Sequence, residues 1–187
     1  MNKLLILFTI FLFGITTPNK DLLYVGDSLT CYQNGWQHNV AKHFDLTYDN
    51  ISKGGKRTDW MLNRLKEQLK THKYKTIIIY GGVNDAFSYT KNDKTIKNLQ
   101  EMIDLCNCYG SKPIIIVGYN PKLVMQNSKG KKSYINLQSK MDSLRDCKII
   151  KIEPTITRYD SNDGIHLNAS GHRKFAKWII ENYTQCN

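Results

Sequence analysis

Five consecutive residues, Thr76-Ile77-Ile78-Ile79-Tyr80, show no alternation of polar and apolar side chains, so a strand built from them must be covered on both faces. Their β-branched content favours extended backbone. Two further runs share this character, Leu22-Leu23-Tyr24-Val25 and Pro113-Ile114-Ile115-Ile116-Val117-Gly118. Segments with helical spacing lie between and after them: residues 59–72, through Met61, Leu62, Leu65 and Leu69, then 94–109, 134–144 and 169–183. In the last of these, Phe175, Ile179 and Ile180 are expected to face inward. A helix is also expected over 29–44, with shorter strands over 46–52 and 148–152. Alternating strands and helices with strands apolar on both sides predict an α/β fold, a three-layer α/β/α sandwich around a mostly parallel sheet of about five strands.

The chain has 187 residues, 41% of them hydrophobic, which suits one domain with a sizeable core. Residues 1–17 read as a signal peptide: Lys3 supplies the positive start, and residues 4–15 are apolar apart from Thr9 and Gly14. That stretch is shorter than the ~20 residues of a spanning helix. The folded domain is expected over 20–187, in a protein that is secreted or periplasmic; an uncleaved N-terminal membrane anchor is the alternative. Five cysteines are present, Cys31, Cys106, Cys108, Cys147 and Cys186, and an odd number leaves a thiol over. If a bridge forms, Cys106 or Cys108 with Cys147 is the expected pair. Cys106-Asn107-Cys108 lacks the second pair that a metal site needs, and no metal or organic cofactor is expected. The formal net charge of +11 leaves an anionic polymer or surface open as a partner. Its lysines are scattered and no nucleic-acid-binding motif accompanies them, so nucleic acid is not expected.

In open parallel sheets, ligands bind beyond the carboxyl ends of the strands. Four features fall there: Ser28 after the first strand, Gly54-Gly55 after the second, Asn84 after the third, and Asp163-Gly164-Ile165-His166 after the last. With a helix beginning behind it, Ser28 would have its N–H at a partly positive helix terminus. A carboxylate three residues before a histidine can fold back onto the ring, fix its tautomer and stabilise the imidazolium that forms when it takes a serine proton. Oxyanion donors are available in the Ser28 N–H, the Gly55 N–H and the Asn84 amide, although glycine pairs and Asn84 are equally turn formers. Other residues near this rim read more simply. Residues 119–132, with Lys122, Lys129, Lys131 and Lys132, form a solvated loop or meet an anionic substrate. Phe87, Ser88 and Tyr89 pack or line a pocket, Tyr32 and Trp36 are read as core, and no role falls to His38, His43, His72 or His172.

Gly26-Asp27-Ser28-Leu29, Gly55 within Gly54-Gly55-Lys56-Arg57-Thr58, Gly82-Val83-Asn84-Asp85 and Asp163-Gly164-Ile165-His166-Leu167 resemble the four sequence blocks of the SGNH, or GDSL, hydrolases. They stand in that family's order, and the likeness spans residues 22–183. It implies a flavodoxin-like fold and a serine hydrolase of ester bonds, with Ser28 as nucleophile, His166 as general base and then acid, and Asp163 as its orienter. Ser28, Gly55 and Asn84 would form the oxyanion hole, with Gly54 as the alternative to Gly55. Asp27 and Asp85 are assigned to loop hydrogen bonding. The resemblance permits lipid, thioester and acetylated-glycan substrates. A small exported domain favours short acyl groups, acetyl on carbohydrate above all. Lipase, lysophospholipase or thioesterase activity is the alternative, and from another class a non-catalytic glycan-binding module.

Overall fold

The computed structural model describes residues 19–118, 128–152 and 156–183. Five strands, β1 (Asn19–Gly26), β2 (Tyr48–Asn50), β3 (Lys73–Tyr80), β4 (Lys112–Val117) and β5 (Lys148–Lys151), form one sheet in the order β2-β1-β3-β4-β5. Every pairing is parallel, with Leu22 opposite Tyr48, Val25 opposite Ile79, Ile78 opposite Ile114 and Ile116 opposite Ile150. Leu22, Leu23, Tyr24 and Val25 are fully buried, as are Ile77, Ile78 and Ile79, because helices cover both faces of the strands. The three-layer α/β/α expectation is therefore met.

The helices are α1 (Trp36–His43), α2 (Thr58–Leu69), α3 (Val83–Phe87), α4 (Asn92–Cys108), α5 (Ser128–Met141) and α6 (Ala169–Tyr183). Met61, Leu62, Leu65 and Leu69 are the buried stripe of α2, and Phe175 and Ile179 that of α6; Ile180 is half-buried. Trp36 binds the layers together, meeting Tyr24 and Phe175 edge-on at ring-centroid distances of 5.4 and 5.0 Å.

Three expectations change. The helix expected over 29–44 begins only at Trp36, because the chain first makes a turn: Thr30 N–H donates to the Asp27 carbonyl at 3.1 Å, and Leu29 N–H to the Asp27 carboxylate at 3.0 Å. The Ser28 N–H thus lies on a turn and not at a helix terminus. Cys31, Cys106, Cys108 and Cys147 are all free thiols, so the expected bridge from Cys106 or Cys108 to Cys147 is absent. Cys106 is buried in the core, which pushes its thiol up to about 12. Lys129, Lys131 and Lys132 belong to α5 and not to a loop. Lys122, Cys186 and the signal peptide over residues 1–17 lie outside the described residues. Among the described residues, no helix is long and apolar enough to cross a membrane.

Between β5 and α6 a short 3-10 turn (Arg158–Asp160) is held by one carboxylate. Asp160 accepts hydrogen bonds from Thr157 N–H at 2.9 Å, Thr157 Oγ1 at 3.0 Å, Ser170 Oγ at 3.0 Å and Lys174 Nζ at 2.8 Å. Burial opposes its charge, but these donors outweigh burial and lower the carboxyl to about 2. A depressed pKa contributes stability that is present above the unfolded value near 4 and is lost as pH falls through the folded value. Asp160→Asn is accordingly expected to lower stability at pH 7 by roughly 2 kcal/mol and to flatten the loss between pH 4 and 2. Urea unfolding of both proteins across that range measures it; parallel acid limbs would show that Asp160 does not carry the effect.

Candidate active site

The rim at the carboxyl ends of the strands gathers residues from four distant segments. At the end of β1, Gly26 lets the chain turn in close quarters: a Cβ there would meet Thr30 Oγ1 at 2.6 Å and the Tyr80 carbonyl at 2.8 Å. The turn is pinned from the other side by the Trp36 indole, whose Nε1–H donates to the Leu29 carbonyl at 2.8 Å. Ser28, two residues past the buried strand, is half-buried at the rim.

Asp163 and His166 meet Ser28 from the segment before α6. The Asp163 carboxylate accepts the Ile165 and His166 backbone N–H groups at 2.8 and 2.7 Å through one oxygen. Its other oxygen lies 2.6 Å from His166 Nδ1, and His166 Nε2 lies 3.0 Å from Ser28 Oγ. A carboxylate only accepts, so Nδ1 carries the proton and donates to it, leaving Nε2 to accept from the serine hydroxyl. The backbone bond from His166 N–H, joined by the bonds from the His166 side chain and the Ile165 N–H, outweighs the small opposing effect of desolvation and holds the Asp163 carboxyl at about 2. It therefore stays charged throughout the neutral range. The His166 carbonyl is fixed in turn by Asn162 N–H at 2.9 Å and Ser161 Oγ at 3.0 Å. This row of groups can pass a proton from the serine to the ring and keep the resulting imidazolium paired.

The loop after β2 passes directly beside the serine. Lys53 N–H donates to the Gly26 carbonyl at 3.1 Å, and a Cβ on Gly54 would lie 3.7 Å from Ser28 Cβ. Gly55 takes φ +71°, a left-handed conformation that favours glycine, with open space around it. After β3, Gly82 at φ +104° opens α3, the short helix that carries Asn84 and Asp85. The Asn84 amide donates to Asp27 Oδ2 and to the Lys56 carbonyl, both at 3.1 Å. It thereby links the loops after β1, β2 and β3, and both its hydrogens are engaged at rest. Asp85 accepts from Thr58 N–H at 2.9 Å and Thr58 Oγ1 at 2.7 Å, satisfying a free N–H at the start of α2. Asp27 is buried, which pushes its carboxyl up to about 7 against the Leu29 N–H that favours the charge.

All five sequence-predicted residues, Ser28, Gly55, Asn84, Asp163 and His166, thus share one rim. Tyr32, read from the sequence as core, is exposed there, its ring centroid 6.4 Å from that of His166. His172, given no role, is buried beneath Tyr32. A cavity of about 500 Å³ lies at the other end of the sheet, lined by Ser111, Pro113, Cys147 and Tyr183 among others, and touches none of the rim residues. Among the described residues, no group of three or more His, Cys, Asp or Glu side chains could hold a metal ion.

A sequence model of the GDSL-like lipase/acylhydrolase family matches residues 24–174. No curated protein matches the chain by sequence. Among solved structures, a member of the lipolytic protein G-D-S-L family from Veillonella parvula is similar at TM-score 0.75 and 18% identity, over 88% of this chain and 98% of that one. The psychrotrophic esterase EstA from Pseudoalteromonas sp. is similar at TM-score 0.73 and 16% identity, over 88% and 97%. The acetylxylan esterase Axe2 from Geobacillus stearothermophilus, solved as a catalytic mutant, is similar at TM-score 0.70 and 13% identity, over 87% and 93%. At these identities the likeness to the solved structures is one of fold.

Proposed function

The chain belongs to the GDSL-like lipase/acylhydrolase family and is a carboxylic ester hydrolase; from that premise we propose that it cleaves short acyl esters, acetyl on carbohydrate above all, through an acyl-enzyme on Ser28. The observation that carries this reading is the hydrogen-bonded row from Ser28 Oγ through the His166 ring to Asp163.

Ser28 Oγ adds to the acyl carbon as its proton passes to His166 Nε2, and Asp163 stabilises the imidazolium. Negative charge gathers on the former carbonyl oxygen, to be met by the Ser28 and Gly55 N–H groups and by the Asn84 amide, which exchanges its bond to the Lys56 carbonyl for one to the oxyanion. Collapse breaks the acyl–oxygen bond, and the Nε2 proton goes to the departing alkoxide. Water then repeats the sequence: it gives a proton to Nε2, its oxygen adds to the acyl carbon, and Ser28 leaves with that proton. No step calls for a metal or organic cofactor.

Asn84→Ala is expected to lower kcat about 10²–10³-fold by removing one oxyanion donor. Steady-state kinetics on an acetyl ester measures this; a loss confined to KM would move Asn84 from the transition state to ground-state binding.

The preference for acetyl on a sugar is supported by the acetylxylan esterase among the structural neighbours and by a small domain that the sequence reads as exported, into the periplasm or beyond. Acetylated oligosaccharide, p-nitrophenyl acetate and p-nitrophenyl palmitate compared at equal concentration test it. Faster release from palmitate would turn the assignment to lipase chemistry. Recovery of protein lacking residues 1–17 from the medium or periplasm tests export.

A further inference from the structure

We propose that Tyr32 is the platform on which the alcohol half of the ester rests, and that its ring selects an alcohol carried on a sugar ring; this rests on the reading of Ser28 and His166 given above. The direction follows from the chemistry. The proton on His166 Nε2 must reach the departing alkoxide, so the body of the alcohol lies on the His166 side of Ser28, whereas the carbonyl oxygen faces Gly55 and Asn84. On the His166 side stands Tyr32, its ring 6.4 Å from the imidazole centroid, inclined at 63°, and 42% exposed.

Its surroundings hold this exposed ring in place. Gly35 N–H donates to the Tyr32 carbonyl at 3.2 Å, and the Gln37 side-chain amide donates to the same oxygen. Gln37 is 1% exposed, so a buried amide is spent on fixing one loop carbonyl. Gly35 makes room for it, since a Cβ there would come within 2.5 Å of Gln37 Oε1. Against the tyrosine ring lies His172, 5.4 Å away and inclined at 62°. His172 is itself tied to the start of α1, its Nδ1 accepting the Trp36 N–H at 3.2 Å, and burial lowers its pKa, which favours the neutral ring that bond requires.

A tyrosine tethered by its backbone and inclined against two histidines at nearly the same angle remains exposed beside the leaving group. A rigid aromatic surface of this kind binds with little loss of conformational entropy, and its electron-rich face suits the C–H faces of a pyranose. An acyl chain, held on the other side of the scissile bond, would not reach it.

The test compares Tyr32→Ala and Tyr32→Phe with the unaltered protein on two acetyl esters, an acetylated xylo-oligosaccharide and ethyl acetate. For Tyr32→Ala, the ratio of kcat/KM on the sugar ester to that on ethyl acetate is expected to fall by about tenfold. Tyr32→Phe, which keeps the ring, should hold the ratio within about twofold. Equal losses on both esters in Tyr32→Ala would overturn the proposal, because Tyr32 would then act only by supporting His166. Loss of the ratio in Tyr32→Phe would also overturn it, by assigning the preference to the hydroxyl. A fluorophosphonate probe separates the underlying reading: labelling of Ser28 in both variants at the unaltered rate establishes an intact nucleophile, whereas unaltered protein that takes no label and leaves ethyl acetate untouched removes the nucleophile assignment and the platform with it.

Discussion

Ser28→Ala is expected to keep its fold and to lose at least about 10⁴-fold in kcat on any acetyl ester. The residual rate would come from binding and from oxyanion donors that the substitution leaves in place. Folding should be spared because, among the described residues, the Ser28 hydroxyl has one hydrogen-bond partner, His166 Nε2, at a half-buried position. The turn around it is held by Asp27, Thr30 and Trp36 through the Leu29 and Asp27 backbone instead. Fluorophosphonate labelling followed by peptide mapping should place the adduct on Ser28 in the unaltered protein and find none in the variant. Thermal unfolding of the two should coincide. A variant that folds and still turns over acetyl esters would place the nucleophile elsewhere.

Gly171→Ala is expected to give the largest loss of stability from a single methyl group. Within a helix this exchange ordinarily stabilises, by about 1 kcal/mol. In α6, however, the new Cβ would lie 2.1 Å from the Asp160 carbonyl oxygen and 3.0 Å from Leu167 Cδ2. A backbone oxygen cannot swing aside as a side chain can, so α6 or the 3-10 turn must move. Overpacking of this kind costs about 1–3 kcal/mol, and a backbone clash belongs at the upper end of that range. A net loss of roughly 2 kcal/mol would lower Tm by about 4–8 °C in a domain of this size. Asp160 also accepts Lys174 and Ser170 and lies three residues before Asp163. Activity should therefore fall together with stability. A higher Tm in Gly171→Ala would show that the helix and the turn do not approach as described.

The positions of Ser28, Asn84, Asp163 and His166 were legible because each follows an apolar strand whose carboxyl end the sequence marks. Asp163 and His166 are also close enough in sequence for the carboxylate to reach the ring by local folding alone. Tyr32 was not legible, for a physical reason: if the helix had begun at Leu29, Tyr32 would have sat one turn beyond Ser28 at a spacing that suggests packing. The Asp27 carboxylate takes the Leu29 N–H and delays the helix to Trp36, and the freed segment turns Tyr32 outward. Helix α3 was likewise hidden, since Gly81-Gly82 reads as a turn and five residues are too few for a helical period to register. The engagement of both Asn84 hydrogens depends on three loops meeting, which no local pattern records.

The sheet order β2-β1-β3-β4-β5 sets β1 between β2 and β3, and at its carboxyl end the hydrogen bond between Ser28 and His166 closes across 138 residues of sequence. Ser28 therefore leaves the ribosome long before His166 does. A nascent or truncated chain that stops before residue 163 holds Ser28 with no imidazole beside it. On the proposed mechanism, ester cleavage awaits the segment that brings Asp163 and His166 to Ser28, so the order of synthesis itself times the activity.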